Sequence, residues 1–144
     1  MSTTVDFSGS SRRHYGDAKL LLTNARIPNA GHLFGFAAEC GVKALLIAHG
    51  LTTDPATGDI VEARPYKYRT HINVLINSVQ TFSTSRVYSK YLGMVPNLSV
   101  FSNWDTSYRY WGESSIPTSH EDWDRAAEEV IRMLDQAILD GVMP

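Results

Sequence analysis

Apolar residues recur at spacings of three and four along most of the chain, the period of helices packed on one face. Tyr15, Ala18, Leu22 and Ala25, with Leu21 beside them, predict a first helix over about residues 11–25. Ser10 or Ser11 is read as its N-cap, because a hydroxyl accepts from an orphan N–H at a helix start. Ile27-Pro28-Asn29 predicts a short connection, since proline disfavours a helical residue before it.

The second helix is predicted from Pro28 or Asn29 to His49. Leu33, Phe34, Phe36, Ala37, Cys40, Ala44, Leu45 and Ala48 cover more than half of its circumference. A helix apolar to that extent belongs at the centre of a fold. Gly50 suits a left-handed C-terminal cap. Gly31, Gly35, Ala38 and Gly41 are small enough for neighbouring elements to approach closely. Each helical glycine costs about 1 kcal/mol against alanine, so packing or function must offset the cost.

Residues 51–68 carry turn chemistry, including Asp54-Pro55, Gly58-Asp59 and Arg64-Pro65, and predict a loop. Ile72, Leu75, Ile76 and Val79 predict a third helix from Arg69 or Thr70 to about Thr81. Val87, Tyr91 and Leu92 predict a fourth over about residues 85–94, ending before Pro96, with a further turn over 97–101. Residues 103–117 are the least regular and the most aromatic, with Trp104, Tyr108, Tyr110 and Trp111. The last helix is predicted to open on a capping box, Thr118-Ser119-His120-Glu121. Trp123, Ala126, Ala127, Val130, Leu134, Ala137 and Ile138 follow at helical spacing, and Gly141 ends it. No alternating strand pattern appears. The prediction is an all-α, four- to five-helix up-down bundle in one domain, residues 11–141, after a flexible tail over residues 1–10.

Composition narrows the class. The chain has 144 residues, 43% hydrophobic and 19% charged, which is globular and large enough for a real core. Its one cysteine, Cys40, excludes an internal disulfide and reads as a small buried hydrophobe. The start of the chain is polar, and the longest strongly apolar stretch, residues 42–48, is interrupted by Lys43 and short of a bilayer. The expectation is a soluble, cytoplasmic protein with no membrane contact. A net charge of −2 gives no global attraction to phosphate, so any nucleic-acid contact needs a local basic patch.

Glu39 and Lys43 lie four apart on the apolar second helix, the orientation that favours an ion pair. A buried carboxylate there needs partners, and His71 and Arg109 are the candidates from other segments. Such a cluster either fixes helix register or lines a pocket for a phosphate or ribose. His71 is the candidate general base, at a helix start beside Arg69, with Lys67 and Arg64 near. Arg69 or Arg109 would then stabilise a phosphorane. The commoner role of such a histidine is to cap or hydrogen-bond its own helix. Arg12, Arg13 and His14 open the first helix and read as a solvated face, or else as a contact for a partner or RNA. Trp104 and Tyr110 are candidates for stacking on bases, although aromatics in such a segment more often plug the end of a bundle. Neither metal nor cofactor is expected: no His-x-x-x-His, Cys-x-x-Cys, Walker A or Gly-x-Gly-x-x-Gly occurs.

The order of these segments resembles the HEPN family of helical bundles. The resemblance rests on His14-Tyr15-x-Asp17-Ala18-x-Leu20-Leu21 and then Gly35-Phe36-Ala37-Ala38-Glu39-Cys40-x-x-Lys43-Ala44-Leu45-Leu46. Thr70-His71-Ile72-x-x-Leu75 and Trp104-Asp105-x-x-Tyr108-Arg109-Tyr110 are similar to later family elements. The matching pieces run from about His14 to Arg132. The resemblance implies nucleotide or RNA association, dimerisation, and membership of a two-component toxin–antitoxin or defence system with a nucleotidyltransferase partner. It also implies a metal-independent ribonuclease as an alternative, with His71 and Arg69 or Arg109 as its residues. The ribonuclease members carry a closely spaced arginine and histidine near the last long helix. Here ten residues separate Arg109 from His120, while Arg64 and His71 have six between them. A third reading is a protein-interaction module with no nucleotide role, to which the aromatic segment and the acidic net charge point.

Overall fold

The computed structural model describes residues 3–62 and 66–144. Helix α1 spans Phe7–Thr23. Its cap is Asp6, whose carboxylate accepts from the Gly9 N–H at 2.9 Å. The expected caps, Ser10 and Ser11, both lie inside the helix, and Ser11 is fully buried and donates its hydroxyl to the Ala37 carbonyl at 2.6 Å. Of the expected tail over residues 1–10, the stretch from Phe7 onward is helical instead. The Val5 N–H donates to Thr57 O at 2.9 Å. An aspartate accepts from orphan N–H groups at least as well as serine, so the helix starts at the earlier cap. Ala25 lies beyond the helix at a left-handed φ of +59°, out of the stripe that the spacing assigned it.

Helix α2 spans Ile27–Ala48, with Pro28 in its first turn. Gly50 follows at φ +104°, the left-handed conformation expected of a residue ending that helix. The helix is central, packed between α1 and helix α5 (His120–Leu139). Its most apolar window has a mean hydropathy of 1.3, so by length and composition it passes as a membrane span. The apolar stretch over residues 42–48, interrupted by Lys43, is only part of this helix. In the fold, 72% of that window is buried. The helical glycines permit its contacts. A Cβ at Gly41 would stand 2.2 Å from Val130 Cγ1 on α5, and one at Gly31 would stand 3.0 Å from the Trp123 ring.

Helices α3 (Ile72–Val79) and α4 (Arg86–Leu92) are shorter than the spacing predicts. Ser85 caps α4, accepting from the Tyr88 N–H at 3.1 Å. Three turns of 3-10 helix follow, Leu98–Asn103, Thr106–Tyr110 and Glu113–Ser115. The predicted capping box of α5 does not form: Ser119 occupies the cap position and no side chain accepts there. The α5 stripe buries Trp123, Ala126, Ala127, Val130, Met133, Leu134 and Ala137, whereas Ile138 is exposed. Among the described residues the one strand-like pairing is an isolated bridge between Thr53 and Ile60. The architecture is an all-helical bundle around α2.

Candidate anion site

Glu39 and Lys43 are buried on α2, 6% and 8% exposed. Lys43 Nζ lies 3.0 Å from Glu39 Oε2, the expected pair. His71, in extended backbone at the cap position of α3, brings its Nδ1 to 3.0 Å from Glu39 Oε1. Its imidazole does not cap its own helix. One carboxylate thus ties two side chains, one from its own helix and one from a distant segment. With Nδ1 engaged by Glu39, Nε2 of His71 has no hydrogen-bond partner among the described residues, and the side chain is half exposed. Lys43 Nζ also lies 5.6 Å from the centre of the Phe7 ring.

Beside this cluster opens a cavity of about 320 Å³, lined by Phe7, Lys43, Asp59, Arg69, Thr70 and His71. Arg69 is fixed at its rim by Asp59 at 3.3 Å, while the Arg69 N–H faces the Glu62 carboxylate. Three donor side chains therefore meet one opening, and each is held by an acidic group, Lys43 and His71 by Glu39 and Arg69 by Asp59. Among the described residues a larger cavity, about 390 Å³, lies between the chain start, the end of α2 and residues 142–144. Asp6, already committed to capping α1, is the one charged residue in it.

Arg109 does not join Glu39 and His71. Its guanidinium stacks on Tyr110 at 4.9 Å, and its charge is felt at His32. The residue sits on the 3-10 turn Thr106–Tyr110, and among the described residues no hydrogen bond or ion pair joins it to that carboxylate. Trp104, expected to stack on a ligand, is 1% exposed and serves packing. Its Nε1–H donates to Gly31 O at 3.2 Å, and His32 stacks on its face at 5.3 Å. Tyr110 is 78% exposed and open to a ligand. Arg64 lies outside the described residues, so its pairing with His71 is not placed.

Two histidines that the residue patterns did not assign to the site complete this face. His14 and His32 flank Phe36 at 5.8 and 4.9 Å between ring centres, and His71 lies 5.9 Å from the same ring. The signal was present on α2: residues 32, 36, 39 and 43 repeat at spacings of four, three and four, one helical face. His14 is held below the ordinary imidazole pKa by burial and by Arg13, against the pull of Asp17 and Glu39. His32 is held down by burial, then by Arg109 and His71. The Cys40 thiol, buried on the same helix, is pushed up to about 11 by its burial and is no nucleophile at neutral pH. No family model matches the chain, and no curated protein or solved structure matches it.

Proposed function

We propose that this protein is a helical module that binds nucleotides or RNA through a phosphate held beside His71. The observation that carries the reading is the convergence of Lys43, Arg69 and His71 on one open cavity. A phosphate there meets donors from three directions, with Phe7 as an apolar wall for the sugar. The resemblance to HEPN domains supports the same class of ligand. It also supports a symmetric homodimer, a nucleotidyltransferase partner and a role in a cytoplasmic two-component system. The exposed Tyr110 and Trp111 offer that dimer an apolar contact.

The reading is binding rather than catalysis, because among the described residues no hydrogen bond or ion pair joins Arg109 to Glu39 or His71. A metal-independent ribonuclease is the second reading, favoured by one observation. A carboxylate on Nδ1 fixes the His71 ring with Nε2 outward, the arrangement that orients a general base.

Calorimetric titration with ATP and with a short single-stranded RNA tests the first reading. Arg69 is exposed, so Arg69→Ala leaves the core intact and should weaken binding at least about fivefold, a single charge-assisted contact. No heat with either ligand overturns the reading. RNA cleavage by wild type beside His71→Ala and Arg109→Ala tests the second: cleavage lost in His71→Ala alone would move the assignment to an enzyme.

A further inference from the structure

We propose that the histidine-ringed aromatic face next to the cavity is a second anion subsite, which takes its phosphate together with protons. The inference rests on the phosphate-binding reading and extends it to a ligand with two phosphate groups. Its residues come from α1, α2, the start of α3 and the 3-10 turn over Thr106–Tyr110. Phe36 forms its floor, half-buried, with Trp104 edge-on beneath at 5.3 Å. Three imidazoles surround that floor within 6 Å, and His71 belongs to both this face and the cavity. His32 and Lys43 stand roughly three helical turns apart, about 16 Å along α2, so the whole surface is longer than one phosphate.

The charges on this face are unspent. Arg13 and Arg109 are exposed, and among the described residues neither pairs with a carboxylate. Elsewhere the basic side chains of α1 do pair: Arg12 with Asp135 at 2.7 Å and Lys19 with Asp124 at 2.8 Å. Arg13 stands beside His14, and Arg109 beside His32. The acids that face these rings are few. Asp17 and Glu39 act on His14, and Asp105 interacts with His71. Glu39 is already shared by Lys43 and His71, and Asp105 is engaged by the N–H of Ser107 at 2.8 Å.

Two cations and two imidazoles kept neutral by burial and by those cations make a proton-linked site. An anion seated between them offsets the Arg13 and Arg109 charges and attracts a proton to the rings. This pull acts against the burial that is the larger cause holding His14 and His32 down, and protons are taken up as the anion binds. The sign follows from linkage: the bound state holds more protons, so affinity rises as pH falls. Each proton taken up steepens the affinity by about tenfold per pH unit.

The probe is the trinucleotide UpUpU, whose two phosphodiesters stay ionised across the range. Its Kd is measured at pH 7.5 and 5.5 by calorimetry, in two buffers of different ionisation enthalpy so that proton uptake is counted directly. Affinity should rise at least tenfold at the lower pH, with net proton uptake by the wild-type protein. In the double variant His14→Gln, His32→Gln most of that ratio should disappear, with a thermal melt verifying its fold. Binding that is independent of pH, with no proton uptake, overturns the proton-linked subsite and leaves the cavity reading standing. A full pH ratio in the folded double variant also overturns it, since the protons then belong to His71. If the double variant fails to fold, the single variants His14→Gln and His32→Gln replace it: proton uptake reduced in a folded single variant supports the subsite, and uptake unchanged in both overturns it. No binding at either pH overturns both readings.

Discussion

Glu39 and His71 are 32 residues apart in sequence and meet at 3.0 Å, carboxylate oxygen to imidazole nitrogen. The contact fastens the extended start of α3 to the central helix. It also orients the half-exposed His71 ring at the cavity. On the other oxygen of the same carboxylate stands Lys43, buried with it. The polar set inside an apolar helix is thus both a structural tie and the wall of a cavity.

Because that pair is desolvated, breaking it exposes a large penalty. Lys43→Ala leaves Glu39 with His71 alone and should cost about 3 kcal/mol of unfolding free energy, the range of a buried pair losing one partner. Replacing both, Glu39→Gln with Lys43→Ala, should cost clearly less than the sum of Glu39→Gln and Lys43→Ala made singly. Urea unfolding of the four proteins checks this. Additive losses would show that the two side chains are not coupled.

Gly35 gives way to no other residue. A Cβ there would stand 2.0 Å from Cε2 of Trp104, whose indole lies on the α2 backbone. Gly35→Ala should destabilise the fold by about 1–3 kcal/mol, the usual cost of overpacking. It should also shift tryptophan emission to the red as the ring is driven toward solvent. An unchanged spectrum and midpoint would refute the close packing.

The cap of α1 is Asp6 rather than a serine, and this is directly measurable. Asp6→Ala should cost about 1 kcal/mol. Thr118→Ala, at the capping box that does not form, should stay within about 0.5 kcal/mol of wild type. Chemical denaturation of both variants compares them. Equal losses would return the box to α5.

Acid sensitivity should concentrate at the end of α5. Asp140 accepts from Lys90, Tyr91 and Gln136, and these bonds lower its pKa to about 2. The Tyr91 hydroxyl is pushed up to about 12 by the same contact. A carboxylate depressed in the folded state stabilises above its unfolded pKa, and that contribution fades as pH falls through the folded value. Wild type should therefore lose stability between about pH 4 and 2, and Asp140→Asn should start lower at neutral pH and show a shallower decline. Thermal midpoints across that range measure it. Parallel curves would exclude the linkage.

By itself the sequence determined the helices, their order and the central place of α2, because periodicity and glycine ends are local signals that packing then used. It also determined the Glu39–Lys43 pair, since a spacing of four on a helix places two side chains together whatever surrounds them. It misjudged the start of α1 and the start of α5. Capping turns on which of several polar residues reaches an N–H, and the tertiary position of Ser11 removed it from that competition. The tertiary structure alone decided which distant residue meets Glu39. His71 and Arg109 were equal candidates by type, and the 3-10 register of residues 106–110 carried Arg109 toward His32 instead. Burial likewise turned Trp104 from a stacking candidate into the packing partner of Gly35. Long-range contacts depend on how every helix seats on α2, and no local spacing encodes that seating.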